Sequence, residues 1–220
     1  MAILRTSVVR RKAWTQAFFP LTALLLLSLA SCGKPEPPAG KTEPKAEVVS
    51  QLSPGESVAA SSRGARAIAT NNQVNFPVSS LNDGTPQAWG AAEGMNDVYA
   101  AVVLPSPQAV QEYRISLFSP AQPPRAHLRD LRVITADSEA SEPNWRVVRS
   151  RLSKDQPFSE KVTMPPLADG TVVRVEIDHS DPNWGPHKIW GFGCFAVSKG
   201  DARNYLTAGR GIYVRELQMK

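Results

Sequence analysis

The chain has 220 residues, of which 25 are Lys or Arg and 20 are Asp or Glu, so its formal net charge is +5. This length is that of one ordinary domain with accessory segments. A hydrophobic fraction of 42% supports a folded core and excludes a wholly disordered protein, while 19 Pro and 14 Gly exclude a coiled coil.

The excess of positive charge lies at the N-terminus. The first 31 residues contain no acidic residue and four basic ones, which are Arg5, Arg10, Arg11 and Lys12. Without these four, 21 basic residues stand against 20 acidic ones, and the net charge falls to +1. Binding to nucleic acid depends on clustered Lys and Arg. We therefore expect no nucleic-acid partner.

The N-terminal segment has the pattern of an export signal. A basic stretch at residues 5–12 precedes an apolar run at residues 17–31, which is shorter than the roughly 20 residues that span a bilayer. The run leads into Leu-Ala-Ser-Cys at residues 29–32, which resembles the lipobox of bacterial lipoproteins. The resemblance implies that residues 1–31 are removed and that Cys32 carries a diacylglycerol lipid. The alternatives are an ordinary signal peptide with an incidental Cys, or an uncleaved anchor.

The residue after Cys32 is Gly33. In bacterial lipoproteins, the absence of Asp at this position implies transfer to the outer membrane. We therefore expect a lipid-anchored protein of the bacterial cell envelope, located at the outer membrane of a cell that has one. Several acyl chains together give a stable anchor without a transmembrane helix.

The rest of the chain divides by composition into a linker and a domain. Residues 32–50 combine the Cys with a Pro-rich, charged segment that has no aromatic residue, which predicts an extended tether. Residues 51–220 have a globular composition and predict one domain. Cys194 is the second of the two Cys, so no disulfide within the domain is expected. Its apolar neighbours favour a buried side chain over a reactive thiol.

Alternating apolar and polar residues predict strands through the domain. These strands are expected at 97–104, 110–118, 128–137, 171–178 and 211–219. Pro, Gly, Asp and Ser separate them and leave little room for helices. The predicted fold is all-β, an antiparallel β-sandwich.

The order of the motifs resembles a known domain family. Residues 81–89 read LNDGTPQAW, residues 128–148 form a strand, a polar turn and Trp145, and the last strand contains Arg-Glu-Leu at 215–217. In this order they resemble a discoidin (coagulation factor C-type) domain, a galactose-binding-like jelly roll, over residues 57–220. The chain departs from many members by lacking a closing pair of Cys. Its connection at residues 179–210 is also longer than usual.

Members of this family often hold a structural calcium ion beside the Asp-Gly loop, and the resemblance implies Asp83, Thr85 and Glu216 as ligands. Calcium prefers six to eight oxygen ligands. Strict alternation also places Glu216 on one face with Ile212 and Val214, which predicts a buried carboxylate that needs a cation or several donors. Two alternatives stay open: Asp83 accepts hydrogen bonds from its own turn, or Glu216 pairs with an arginine.

Residues 179–190 concentrate the polar and aromatic side chains that sugar-binding sites use. Trp184 offers a ring face for a sugar, and polar groups follow the same loop at Asp181, Asn183 and His187. The alternative is a structured loop that packs its own aromatics on the sandwich, which we favour for Trp190. Three His in the whole chain are too few, at these spacings, to predict a zinc site.

The sequence contains no hydrolase or nucleotide-binding motif of the common kinds. We therefore expect no enzyme activity. The prediction is a non-catalytic, monomeric module that recognises a glycan through loops at one end of the sandwich. The alternative is a structural or protein-binding lipoprotein whose partner is another envelope protein.

Overall fold

The computed structural model describes residues 45–91, 97–118, 128, 130–137, 143–180, 188–196 and 212–220. The chain divides into a unit at Met1–Gly40 and a unit at Lys41–Lys220. The first unit, with Cys32, lies outside the described residues. Within the described ranges, no helix is long and apolar enough to cross a membrane.

The described residues form eleven strands and two short 3-10 turns, the latter at Ser61–Arg63 and Val78–Leu81. The strands are β1 Val48–Val49, β2 Arg66–Ala69, β3 Trp89–Gly90, β4 Val98–Ala109, β5 Tyr113–Leu117, β6 Leu131–Asp137, β7 Trp145–Val148, β8 Ser150–Arg151, β9 Val172–Ile177, β10 Lys188–Ala196 and β11 Tyr213–Met219.

The strands build two antiparallel sheets. Sheet A has the order β1-β9-β5-β11-β3, with β8 added to β9. Sheet B has the order β2-β4-β10-β6-β7. All pairings of named strands are antiparallel, and the prediction of an all-β sandwich is confirmed.

The core lies between the sheets and is built by the alternation that the sequence predicts. On β4 the inward residues are Val98, Ala100, Val102 and Leu104, and on β9 they are Val173, Val175 and Ile177. Tyr113 of sheet A packs on Phe192 of sheet B, with ring centroids 4.9 Å apart. Aromatic pairs at this distance bury large apolar areas and join the two layers.

Strand β10 is not among the strands predicted from the sequence. The connection expected at 179–210 contains this strand, which lies at the centre of sheet B between β4 and β6. Gly191 and Gly193 interrupt its pattern of side chains, and glycine is uncommon inside strands. The unbroken apolar run around them is the signal of a strand buried at the centre of a sheet.

The sandwich also begins earlier than the predicted boundary at residue 51. Val48 and Val49, in the predicted linker, pair with Val173 and Val172 of β9. Ala46 is buried as well. The β-branched pair at the end of a Pro-rich segment is therefore the edge strand of sheet A.

Strand β11 departs from strict alternation. Its register with β5 shifts, because Val214 pairs with Leu117 whereas Glu216 pairs with Ser116. Here β11 advances by two residues while β5 advances by one. Beyond the shift, Leu217 enters the core, while Glu216 lies on the opposite face of the sheet. The expectation that Glu216 shares the face of Val214 is therefore wrong, although Glu216 is buried, with 3% exposure. A β-bulge of this kind re-aims a side chain.

Candidate functional site

The Asp-Gly loop forms a self-capped turn. Both the backbone N–H and the hydroxyl of Thr85 donate to Asp83 Oδ1, at 2.9 and 2.7 Å. Gly84 has φ 72°, a left-handed conformation that favours glycine. Asp83 therefore accepts hydrogen bonds from its own turn, the first alternative that the sequence left open. Its second carboxylate oxygen takes no part in these two bonds.

Glu216 lies under the segment that follows β1. The Gln51 side-chain amide donates to its Oε2. Burial raises the pKa of Glu216, and the nearby Asp83 carboxylate raises this pKa further, whereas hydrogen bonds from Gln51 and Gln218 lower it. Among the described residues Glu216 has no arginine partner, because its neighbour Arg215 binds Asp169.

A further oxygen atom lies beside Glu216. Ser116 lies directly across from Glu216 on β5, and its hydroxyl is buried without a hydrogen-bond partner. A cavity of about 340 Å³ opens beside the loop and is lined by Gln51, Gly84, Thr85, Pro86, Gly170 and Arg215. In the described part of the chain, no three His, Cys, Asp or Glu residues are placed to share a metal ion. A cation here would therefore need hydroxyl and carbonyl oxygens in addition to the two carboxylates, and calcium accepts such a set.

The predicted sugar-binding residues Asp181, Asn183, Trp184 and His187 lie outside the described residues. The residues just before them, from Asp178 to Ser180, are described. Asp178 forms an ion pair with Arg149 at 3.2 Å and accepts hydrogen bonds from the N–H and hydroxyl of Ser180, at 3.1 and 2.6 Å. The bonds from Ser180 and the charge of Arg149 hold the pKa of Asp178 below its usual value. Asp178 therefore fixes where the loop leaves β9.

A polar pocket of about 220 Å³ opens at this point. Its lining residues are Gln111, Tyr113, Arg174, Val175, Glu176, Ile177 and His179. Cation, carboxylate, amide and imidazole groups thus meet in one small space at the root of the loop. Sequence reasoning missed this pocket because its walls combine the turn before β5 and the start of β5 with both faces of β9. Only the pairing of these two strands brings them together.

Cys194 is an inert part of the core. It is 1% exposed, and burial raises its pKa to about 12. A thiol with this pKa stays protonated at neutral pH and is a poor nucleophile. The prediction of a buried side chain at Cys194 is confirmed.

No protein-family model matches the chain, and no curated protein matches it. Solved structures of similar fold include chitosan-binding module 1 from a chitosanase/glucanase of Paenibacillus sp. IK-5, with 15% identity, a TM-score of 0.47, and coverage of 74% of this chain and 98% of that one. The family 32 carbohydrate-binding module of Clostridium perfringens NanJ, solved with galactose, has 13% identity and a TM-score of 0.49. The match covers 71% of this chain and 93% of that one.

A third similar structure is the module CpGH89CBM32-5 of Clostridium perfringens, in complex with GalNAc-β-1,3-galactose, with 10% identity and a TM-score of 0.48. The match covers 71% of this chain and 95% of that one. Identities and TM-scores of this size are too low to transfer a ligand to this chain. The fold of this chain therefore rests on its own strands, which form a β-sandwich of two antiparallel sheets.

Proposed function

We propose that the chain is a lipid-anchored, non-catalytic carbohydrate-binding module. The observation that carries the proposal is the polar pocket at the root of the loop that contains Trp184. Its groups include donors and acceptors at close quarters, as the hydroxyls of a sugar require. Trp184 follows His179, which lines the pocket, by five residues in the sequence.

In this proposal each part of the site has a separate role. Arg174 donates to sugar hydroxyls, Glu176 accepts from them, and the Gln111 amide does both. The ring of Trp184 stacks on the C–H face of the same sugar, with Asp181, Asn183 and His187 as further polar groups of the loop. Arg174 holds Glu47 at 3.5 Å, a long contact that leaves its guanidinium donors for a ligand.

A glycan array tests the proposal with the full chain in detergent. Charge-assisted hydrogen bonds contribute about 1.5–3 kcal/mol, so Arg174→Ala should weaken glycan binding about tenfold or more. Trp184→Ala should weaken it as well. Arg63→Ala, which removes an exposed arginine that does not line the pocket, is the matched control. Glycan binding that both site variants retain in full would overturn the pocket as the site. Absence of glycan binding, with an envelope protein recovered by crosslinking, would favour the protein-binding alternative.

The lipid anchor at Cys32 is part of the same proposal, and it is tested separately. Labelled palmitate should enter the wild-type chain and not the Cys32→Ser variant. The wild-type chain should fractionate with the outer membrane. Incorporation into both proteins would argue against Cys32 as the acceptor.

We propose further that calcium binds at Asp83, Glu216 and Thr85. The burial of Glu216 and the buried Ser116 hydroxyl, which has no hydrogen-bond partner, support this assignment, and the charge of Asp83 raises the pKa of Glu216. Such an ion would tie the Asp-Gly loop to β11 and would take no part in chemistry. A ligand at 100 times its Kd stabilises a protein by about 2.7 kcal/mol. Calcium should therefore raise the Tm of the wild type, and the Glu216→Gln variant should lose most of this shift. An unchanged Tm after addition of calcium to EDTA-treated protein would contradict the assignment.

A further inference from the structure

The outward face of sheet B, here called the aromatic face, is apolar, with buried small residues at its centre and half-exposed aromatic rings above them. The registry of β2, β4, β10, β6 and β7 places its outward residues in three rows. They are Tyr99, Phe195 and Arg132 in the first row, Ile68, Ala101, Gly193, Ile134 and Val147 in the second, and Arg66, Val103, Gly191, Ala136 and Trp145 in the third. The described residues thus give this face three aromatic rings, two arginines and no carboxylate.

Small residues form the floor of the aromatic face. A Cβ on Gly191 would lie 2.7 Å from Cη2 of Trp145, so the indole reaches across Ala136 onto the Gly191 backbone. Tyr99 approaches from the opposite corner, and its ring centroid lies 6.5 Å from that of Trp145, with 34° between the planes. Two rings near each other at a shallow angle make a platform, and both stay half exposed.

Neither arginine of the aromatic face has a carboxylate partner among the residues that the structure describes. Arg132 lies over the ring of Phe195, with Cζ 5.4 Å from its centroid, and Arg66 is exposed on the edge strand. By strand spacing and rise, roughly 20 Å separates their Cα atoms across the platform. Every arginine on the outward face of sheet A, by contrast, has a carboxylate partner among the described residues.

We propose that the aromatic face binds an acidic polysaccharide chain, separately from the polar pocket of the proposed function. The C–H faces of sugar rings would stack on Tyr99 and Trp145. Carboxylate groups on sugars further along the chain would bind Arg66 and Arg132, which are too far apart to hold one small anion together. Arg forms bidentate hydrogen bonds with carboxylates, and both guanidinium groups of this face are available for such bonds.

Single-stranded nucleic acid is also bound by aromatic rings with basic residues. Its affinity, however, depends on several Lys or Arg along the backbone. The described residues place two such groups on this face, at opposite corners, and an apolar centre lies between them. An acidic polysaccharide, whose sugar rings offer C–H faces for stacking, fits this apolar centre better than a nucleic acid, whose affinity needs several basic contacts.

The test measures binding of polygalacturonate to the full chain in detergent, with its methyl ester as the neutral probe. Loss of both arginine contacts should weaken binding of polygalacturonate at least tenfold in the double variant Arg66→Gln and Arg132→Gln. The affinity for polygalacturonate should also fall as salt is added. The affinity of the wild type for the methyl ester should be as low as the affinity of the double variant for polygalacturonate. Because neither arginine pairs with a carboxylate in the described part of the chain, the Tm of the double variant should match that of the wild type.

Three results would overturn this proposal: equal binding of acid and ester, no effect of the double variant, or tighter binding of single-stranded DNA than of polygalacturonate. Arg174→Ala separates it from the proposed function. That variant should lose binding to neutral glycans and keep binding to polygalacturonate. If neutral glycans fail to bind the wild type while polygalacturonate binds it through Arg66 and Arg132, the pocket is wrong and the aromatic face stands.

Discussion

The outward faces of the two sheets use the same kind of residue in opposite ways. On sheet A, Arg114, Arg151, Arg174 and Arg215 each hold a carboxylate, at distances of 2.8 to 3.5 Å. The segment after β1 covers part of this face, and the Gln218 side chain bonds both the N–H and the C=O of Leu52. On sheet B, both outward arginines of the described residues are without such partners.

The difference separates structural charge from charge that is available to a ligand. An ion pair inside one chain uses its hydrogen-bonding capacity on the fold itself. An arginine over an aromatic ring keeps its in-plane N–H donors free, as Arg132 does above Phe195. Apart from Arg174 and Glu176 at the polar pocket, substitutions on sheet A should therefore change stability, whereas substitutions on the aromatic face should change binding.

The largest expected effect concerns the floor of the aromatic face. A Cβ on Gly193 would lie 2.4 Å from the Ala100 carbonyl oxygen and 2.4 Å from the Ala101 Cβ. We expect Gly193→Ala to lower the free energy of unfolding by about 1–3 kcal/mol, as overpacking in a core does. Gly55→Ala is the control, because nothing lies within 4 Å of its added methyl group. Urea unfolding measures both, and equal stability of the two variants would contradict the close packing at Gly193.

A smaller effect compares one arginine from each face. Arg215 donates to both oxygens of Asp169 at 2.9 Å, donates to the Pro86 carbonyl, and lies 5.3 Å from the centroid of Phe118. We expect Arg215→Ala to destabilise the domain by about 1–2 kcal/mol, mostly through the charged hydrogen bonds. Arg132→Ala should change stability by less than about 0.5 kcal/mol. Thermal unfolding in one buffer measures both changes in stability. A larger loss of stability for Arg132→Ala than for Arg215→Ala would contradict the difference between the two faces.

The smallest expected effect is a pH dependence that Glu216 adds to sheet A. Its folded pKa is raised above the ordinary 4.5, chiefly by burial, so the folded state binds this proton more tightly than the unfolded state does. In calcium-free buffer the resulting stability is fully present below pH 4.5 and is lost as the pH rises through the folded pKa. Glu216→Gln should remove this component, which a comparison of Tm against pH for the two proteins would reveal. Identical pH profiles would show that the carboxylate is not buried in solution.

Much of the fold could be predicted from sequence because alternation is a local signal. A polar residue between two apolar ones marks a half-buried strand, and β4, β5, β6 and β9 follow that rule. The rule fails where geometry is not local. Glycines hide the central strand β10, and the bulge after Val214 inverts the face of Glu216. Neither feature can be detected from the alternation of apolar and polar residues in the sequence.

The sites were less predictable, for the same reason. The Asp83 turn and its neighbour Thr85 are close in sequence, and their hydrogen bonds could be anticipated. The approach of Asp83 to Glu216 depends on how β11 enters sheet A. The polar pocket and the aromatic face each combine strands that are distant in the chain, and single-sequence patterns carry no information on which outward faces remain free.

The position of β11 has a consequence for how the protein matures. This strand is the last of the sandwich in the chain, yet it lies inside sheet A between β5 and β3. Its final residues also close the turn before β5, where the N–H groups of Gln111 and Glu112 donate to the Lys220 carbonyl at 2.7 and 3.0 Å. Until β11 is added, β3 has no pairing partner among the described strands of sheet A. The sheet is therefore completed by contacts between segments that are distant in sequence, and such contacts slow folding.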